Sequence, residues 1–355
     1  MGESDVRIFR PRALTRRPRV TVVIPHYNYG RYLPVAVESV LGQDGVDVDI
    51  IIVDDTSTDG SLEVARRLAA GDDRIALVEH EVNLRHIRTY NDGLSRATGD
   101  YVVLLSADDA LTPGSLARSA ALLEAHPEVG LVYGAVEWFH GELPPVADAR
   151  VWWQTWAGEQ WLRRIVHRGR NSIVNPEVVM RRSVYERTGG YDVDFPHAAD
   201  MYMWLQAATF SGIGFVGGPR QAYYRDHGEN MHSTDFAGAT DDMTQVRDVY
   251  ERFFASDGAG LPRADRWRET ARRSVAREAL LRSALLESTG APRSASADLR
   301  AFARTTYPRA VGSAAWRWSG LASDKKGSFD SPRLVRVVES TRWKIRSRRQ
   351  AAVGL

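Results

Sequence analysis

Through the first 140 residues, short runs dense in Val and Ile alternate with stretches whose apolar residues recur every three or four positions. A strand period followed by a helix period, repeated along a chain, points to a mostly parallel sheet buried on both faces by the returning helices. Strands are expected at 20–24, 48–53, 74–79, 101–105 and 130–136, with helices at 32–41, 61–70, 86–97 and 113–125. Thr112 is expected as an N-cap ahead of Pro113, and Gly99 as a left-handed residue that stops the preceding helix. From about 145 to 235 the pattern is mixed, with a Gly189-Gly190 turn, a helix near 199–210 and a strand near 221–225; after 240 it is helical. The expected organisation is a basic arm at 1–18, a main domain at 19–235 with halves 19–110 and 111–235, and a helical region at 236–355.

At 355 residues the chain is long enough for about two domains of ~150 residues. It has no cysteine, which removes disulfides, thiolate nucleophiles, iron–sulfur clusters and cysteine zinc sites together. Its lysines are Lys325, Lys326 and Lys344, so a phosphate loop ending in Gly-Lys and a Schiff-base lysine are both absent from the part that carries the strands. The arginine bias fits a GC-rich bacterial genome better than nucleic-acid binding. Residues 1–19 hold six Arg against two acids and residues 331–355 hold seven basic residues against one acid, so a net charge of +2 conceals an acidic middle. Nucleic-acid binding concentrates positive charge on one face instead, so no nucleic-acid partner is expected. No apolar run reaches the length of a membrane span and the first residues lack an apolar signal core, so a cytoplasmic location is expected.

In an open parallel sheet, ligands sit outside the carboxyl ends of the strands. Three expected strands end in polar clusters: Pro25-His26-Tyr27-Asn28, the run from Asp54 and Asp55 to Asp59-Gly60-Ser61, and Ser106-Ala107-Asp108-Asp109. Carboxylates gathered on one edge repel one another unless they face a cation or hydrogen-bond donors, which points to a metal and a nucleotide. Hard oxygen ligands without cysteine favour Mg²⁺ or Mn²⁺ at Asp108. Asp54 and Asp55 can accept hydrogen bonds from a base or ribose, while Asp59 and Ser61 suit the N-terminus of the next helix.

Pro25-x-Tyr27-Asn28, then Val53-Asp54-Asp55-x-Ser57-x-Asp59-Gly60-Ser61, then the stretch 83–109, together resemble the family 2 inverting glycosyltransferases, over roughly residues 18–235. The resemblance implies an α/β A-type glycosyltransferase fold, a Rossmann-like mostly parallel sheet flanked by helices, with a helical C-terminal extension. It implies transfer of a sugar from a nucleotide diphosphate donor, uridine diphosphate first among them, to a hydroxyl of a glycan, a lipid-linked intermediate or a secondary metabolite, as in polysaccharide or natural-product biosynthesis. Mn²⁺ or Mg²⁺ is the implied cofactor. By position, Pro25, Tyr27, Asn28, Asp54, Asp55, Ser57, Arg85, Asn91, Ser106, Ala107, Asp108 and Arg225 are implied at the nucleotide sugar, Asp108 and His227 at the metal, and Asp200 as the catalytic base. Asp109, Trp156 and Trp204 are implied on the acceptor side. Two positions depart from the family pattern: Ser106 replaces the first acid of the Asp-x-Asp motif, and Ala199 precedes Asp200 where an acid pair is usual.

Those departures leave a catalytically inactive scaffold open as an alternative. A nucleotidyltransferase fits less well, because the loop after the first strand holds the single arginine Arg31. Gly212–Gly217 spells a dinucleotide fingerprint, but it follows a helix and precedes Gly218-Pro219, so that reading is rejected. Trp152, Trp153, Trp156 and Trp161 suit either core packing or a stacking platform. The segment 342–349 mixes basic, aromatic and apolar residues and suits either a foot on an anionic membrane surface, at its inner face, or a solvated helix end. A homodimer through the helical part stays open.

Overall fold

The computed structural model describes residues 7–145, 148–227, 240–289 and 293–321. Its backbone divides into two units, one built from 7–161 and 173–227, the other from 162–172 with 240–289 and 293–321. The boundary expected near 235 and the basic tail both lie outside the described residues. No helix among the described residues is long and apolar enough to cross a membrane.

The first unit is a nine-stranded sheet in the order β1-β9-β11-β7-β10-β5-β2-β3-β4. Its strands are β1 (Arg7–Phe9), β2 (Arg19–His26), β3 (Asp47–Asp54), β4 (Ile75–Glu79), β5 (Tyr101–Leu104), β7 (Val129–Tyr133), β9 (Trp152–Trp156), β10 (Val179–Arg181) and β11 (Gly212–Gly217). A second, three-stranded sheet pairs β6 (Ala110–Leu111), β12 (Ala222–Arg225) and β8 (Val136–Phe139). Helices α1 (Leu33–Leu41), α2 (Ser61–Gly71), α3 (His86–Ser95), α4 (Ser115–Ala125), α5 (Gly158–Arg168), α6 (Arg182–Thr188) and α7 (Ala199–Phe210) follow in chain order. The polarity is mixed: β2, β3, β4 and β5 run parallel, whereas β10 lies antiparallel between β5 and β7.

The central strands are the Val/Ile runs seen in the sequence. Val20, Val22, Ile24, Ile50 and Ile52 are all buried, as a strand covered on both faces requires. From β2 the chain builds outward through β3 to β4 and then returns to place β5 on the other side of β2. This reversal of strand order opens a crevice outside the carboxyl ends of β2 and β5. Helix α3 lies close over this half: a Cβ at Gly93 would stand 2.4 Å from Val23 Cγ1 and 2.8 Å from Val53 Cγ2.

Several local expectations are corrected. Residues 130–136 are two strands in different sheets, broken at Gly134, where a Cβ would meet the Gln221 side chain at 2.2 Å. The helix expected from Pro113 begins at Ser115 after left-handed Gly114, and the Thr112 hydroxyl donates to the Arg220 carbonyl at 2.6 Å instead of capping it. Gly99 is not left-handed; a Cβ there would lie 2.7 Å from Thr21 N, so close backbone approach requires the glycine. Part of the basic arm is tied down, with β1 paired to β9 and Arg16 bonded to Asp100 and Glu124.

The second unit is helical, built from Asp241–Ala255, Ala264–Thr289, Arg293–Thr306 and Ala314–Leu321 with residues 162–172 of α5 and the turn beyond it. Its core holds Val249, Phe253, Ala271, Val275, Leu280 and Leu299.

Candidate active site

The loops after β2 and β3 are knitted together before any ligand arrives. Asn28, at φ 59°, donates its N–H to Ser57 Oγ at 3.0 Å and accepts the Thr58 N–H on Oδ1 at 2.8 Å. Left-handed backbone at Asn28 and at Thr56 (φ 67°) is strain concentrated in the two segments that border the crevice. Pro25 is buried in β2, while Tyr27, just past the strand, is 44% exposed.

The paired aspartates do different work. Asp54 is buried, with Oδ1 3.0 Å from His26 Nε2 and Oδ2 accepting the Ser57 N–H at 3.0 Å. Burial alone raises its carboxyl, but the hydrogen bonds from His26 and Ser57 outweigh it and hold the group below the usual carboxylate range. Asp54 therefore shapes the loop. Asp55 Oδ1 accepts from His80 Nδ1 at 2.8 Å and from the Leu84 N–H at 2.7 Å, which leaves Oδ2 without a partner among the described residues. Asn83 fixes the same turn through the Asp55 carbonyl. Arg85, at φ 65°, stands exposed at the start of α3. Asn91 is turned away from the loops: its amide clamps Tyr191 through both backbone groups at 2.8 Å, so it joins α3 to the segment ahead of α7.

The segment after β5 brings the remaining acids together. Ser106 accepts the Asp109 N–H on its carbonyl, and Ala107 is buried between them. Asp108 Oδ2 lies 3.0 Å from His227 Nε2. Asp109 Oδ1 accepts the Arg225 N–H at 2.9 Å; burial, then the charge of Asp108, pushes the Asp109 carboxyl well above its ordinary range. The Arg225 guanidinium donates to the carbonyls of Asp108 (2.9 Å) and Gly141 (2.6 Å) and lies over the rings of Tyr32 and Phe139. It is buried, and these bonds hold the Asp108 loop.

Among the described residues no group of three or more His, Asp or Glu converges as a ready metal cage. The donor set nonetheless fits one edge of an octahedral ion: adjacent oxygen or nitrogen ligands at ~2.1 Å from Mg²⁺ stand about 3 Å apart, and Asp108 and His227 present that spacing.

Asp200 enters from the first turn of α7, where the helix dipole favours a carboxylate. The loop ahead of it is held to α3 by His86, whose Nε2 lies 2.7 Å from the Pro196 carbonyl oxygen. Tyr90 on α3, missed in the sequence, stands with its ring edge-on to His86 and to Tyr191. Burial, then the charges of Asp108, Asp200 and Asp109, push its ionisation upward, so all three carboxylates act on one phenol. Its signal in the sequence was only its place on α3, one turn after His86.

Two expected acceptor contacts are corrected. Trp156 is 2% exposed and stacked on Tyr133; Trp204 is 2% exposed and packed against Tyr191. Neither offers a face to an acceptor. Trp153 and Trp161 are fully buried, and half-buried Trp152 packs on Phe215. Among the described residues Trp138 is an exposed tryptophan, 55% accessible and 4.2 Å from the Tyr224 ring on the small sheet that carries Arg225. Strand alternation in β8 was the available signal, since Phe139 points inward and Trp138 outward.

Comparison with known proteins matches this framework. Residues 21–188 fit the model of glycosyl transferase family 2, a segment running from the first Val-rich strand through the three carboxylate loops. Just under half of the chain is thus similar to glycosyl transferase family 2. Among curated glycosyltransferases, EpsE of Bacillus subtilis (strain 168) is 40% identical over 110 residues, which is 31% of this chain and 40% of EpsE. The glycosyltransferase alr2836 of Nostoc is 29% identical over 226 residues, 60% of this chain and 66% of the relative, so the match spans less than two thirds of either protein. A mycobacterial PGL/p-HBAD biosynthesis glycosyltransferase from Mycobacterium bovis is 27% identical over 184 residues, 52% of this chain and 67% of that one. Solved structures share the A-type glycosyltransferase fold. S. aureus TarS 1–349 in complex with UDP-GlcNAc superposes with a TM-score of 0.54 at 16% identity, covering 82% of this chain and 92% of TarS. The mannosyltransferase PcManGT from Pyrobaculum calidifontis, in complex with GDP-Man and Mn²⁺, gives 0.50 at 19% identity, covering 91% and 87%.

Proposed function

We propose that this chain is an inverting glycosyltransferase that uses a nucleoside diphosphate sugar, with uridine diphosphate as the carrier, and an acceptor hydroxyl on a glycan, a lipid-linked intermediate or a small molecule. The observation that carries the reading is the pair of Asp108 and His227, 3.0 Å apart, with buried Asp109 next to Asp108 on the segment that follows β5. The nucleotide sugars named with TarS and PcManGT support the donor class.

In this reading Asp55 Oδ2 accepts a base N–H, Tyr27 stacks beside the base, and Asn28 and Ser57 hold the loop backbone. Asp108 and His227 would hold Mn²⁺ or Mg²⁺, which when bound would neutralise charge on the leaving diphosphate. Asp200 takes the proton of the acceptor hydroxyl as its oxygen forms a bond to the anomeric carbon and the bond from that carbon to the phosphate oxygen breaks, inverting the configuration. Trp138 and Tyr224 supply the aromatic face on which an acceptor sugar rests. Fixing both substrates for in-line attack removes much of the entropic barrier.

The test is calorimetric titration of the full chain with uridine, guanosine and thymidine diphosphates, each with Mn²⁺ and with chelator. Metal-dependent binding selective for the uridine compound is expected. Absence of binding to all three would return the chain to the inactive-scaffold reading, and selectivity for guanosine would replace the carrier.

A further inference from the structure

The helical unit contains a cavity of about 560 Å³ whose wall is dominated by arginine. Arg163 and His167 reach it from α5, Arg266 and Arg273 from the helix Ala264–Thr289, Arg263 from the residue before that helix, and Arg309 from the turn Pro308–Ala310. On the long helix the spacing of 266, 269, 270 and 273 puts these residues on one face. Three separate elements therefore aim guanidinium groups into one concavity. Trp267 is its buried apolar flank and Glu269 its single carboxylate, 3.3 Å from Arg309.

Neighbouring arginines of the same helix show what an ordinary surface arginine does here. Arg268 and Arg272 share Glu251, and Arg282 pairs with Asp242. Arg163, Arg263, Arg266 and Arg273, by contrast, have no carboxylate among the described residues within ion-pair distance. Arg263 is also held at φ 70°, a left-handed backbone that a bulky side chain seldom adopts. Like charges crowded into a concavity raise its potential and concentrate counter-ions there. Guanidinium forks match phosphate oxygens in geometry as well as charge. The volume lies in the range of ligand pockets, so it admits more than a single phosphate.

We propose that this cavity is a binding site for a phosphoryl group borne on a larger molecule, a diphosphate or phosphodiester, separate from the donor crevice of the other unit. It does not rest on the proposed sugar transfer: a chain inactive in transfer would still bind the anion. Two sources present that chemistry, a lipid headgroup and a soluble phosphate compound, and the test has an arm for each.

In the first arm, inorganic pyrophosphate is titrated calorimetrically into the full chain with chelator present, so that metal-bridged binding in the donor crevice is suppressed. In the second, the chain is sedimented with phosphatidylglycerol vesicles and with phosphatidylcholine vesicles. Both arms are repeated with R266Q/R273Q, whose two positions are exposed, and with Asp108→Ala. Expected is binding in at least one arm that weakens tenfold or more in R266Q/R273Q, weakens with salt, and is unchanged in Asp108→Ala. Pyrophosphate binding with that pattern assigns a soluble source, and binding to phosphatidylglycerol vesicles alone assigns a headgroup. No binding in either arm, or binding equal in wild type and a folded R266Q/R273Q of unchanged far-ultraviolet dichroism, overturns the proposal.

Discussion

At the residue scale, the loop after β3 rests on His80, whose ring bridges Asp55 at 2.8 Å and Asp92 at 3.2 Å. Burial lowers the basicity of this ring, but the two carboxylates outweigh it and raise its pKa above 6.5. A group raised on folding contributes stability that is fully present below its unfolded pKa and disappears as pH rises through the folded one. The urea midpoint of the wild type should therefore fall as pH rises above about 6.5, and fall less in His80→Gln. Equal falls in both proteins would remove the bridge from the account. Asp200→Asn should lower turnover by ~10²–10⁴-fold, the usual worth of a positioned base, with donor affinity unchanged; normal turnover would take Asp200 out of the mechanism. Asp108, Asp55 and Asp200 were legible in the sequence because strand ends and a helix start announce themselves. Tyr90 and Trp138 were not, because an aromatic on a helix or strand reads as core until its neighbours are known.

At the element scale, the strands that were legible are those built from Val and Ile with nothing else to be. β11 was not, because Gly212, Gly214 and Gly217 deprive it of β propensity. Each glycine is there for its neighbours: a Cβ at Gly214 would meet Leu122 and Val132 below 3 Å, and one at Gly217 would enter the Trp152 ring at 2.0 Å. β6 and β10, at two and three residues, are shorter than any periodicity can register. Helix α3 gives the sharpest prediction at this scale. Alanine at Gly93 gains about 1 kcal/mol of helix propensity, yet its methyl must displace Val23 and Val53 from the sheet. Overpacking of ~1–3 kcal/mol wins, and Gly93→Ala should lower the denaturation midpoint; a raised midpoint would show that α3 can lift without cost.

At the scale of the whole molecule, the proposed nucleotide site belongs to one unit, and binding there should stabilise that unit by mass action. A nucleoside diphosphate with Mn²⁺ at a hundred times its dissociation constant adds ~2.7 kcal/mol, which for a unit of this size raises the unfolding temperature by roughly 5–10 °C. Differential scanning calorimetry reads this directly, and an endotherm unmoved by saturating ligand would contradict binding to the native crevice. The position of β10 has a further consequence, for the ribosome. β5 and β7 are joined only through β10, and the chain makes the turn beyond α5 before β10 exists. Roughly 75 residues separate the end of β5 from the end of β10, about 4–15 s of synthesis at ordinary rates. For that interval Val103 and its neighbours present an open strand edge, and β7 has no partner at all. A nascent chain stalled near residue 170 thus exposes the kind of edge that templates aggregation, which makes this stretch of translation the natural place for a chaperone to hold on.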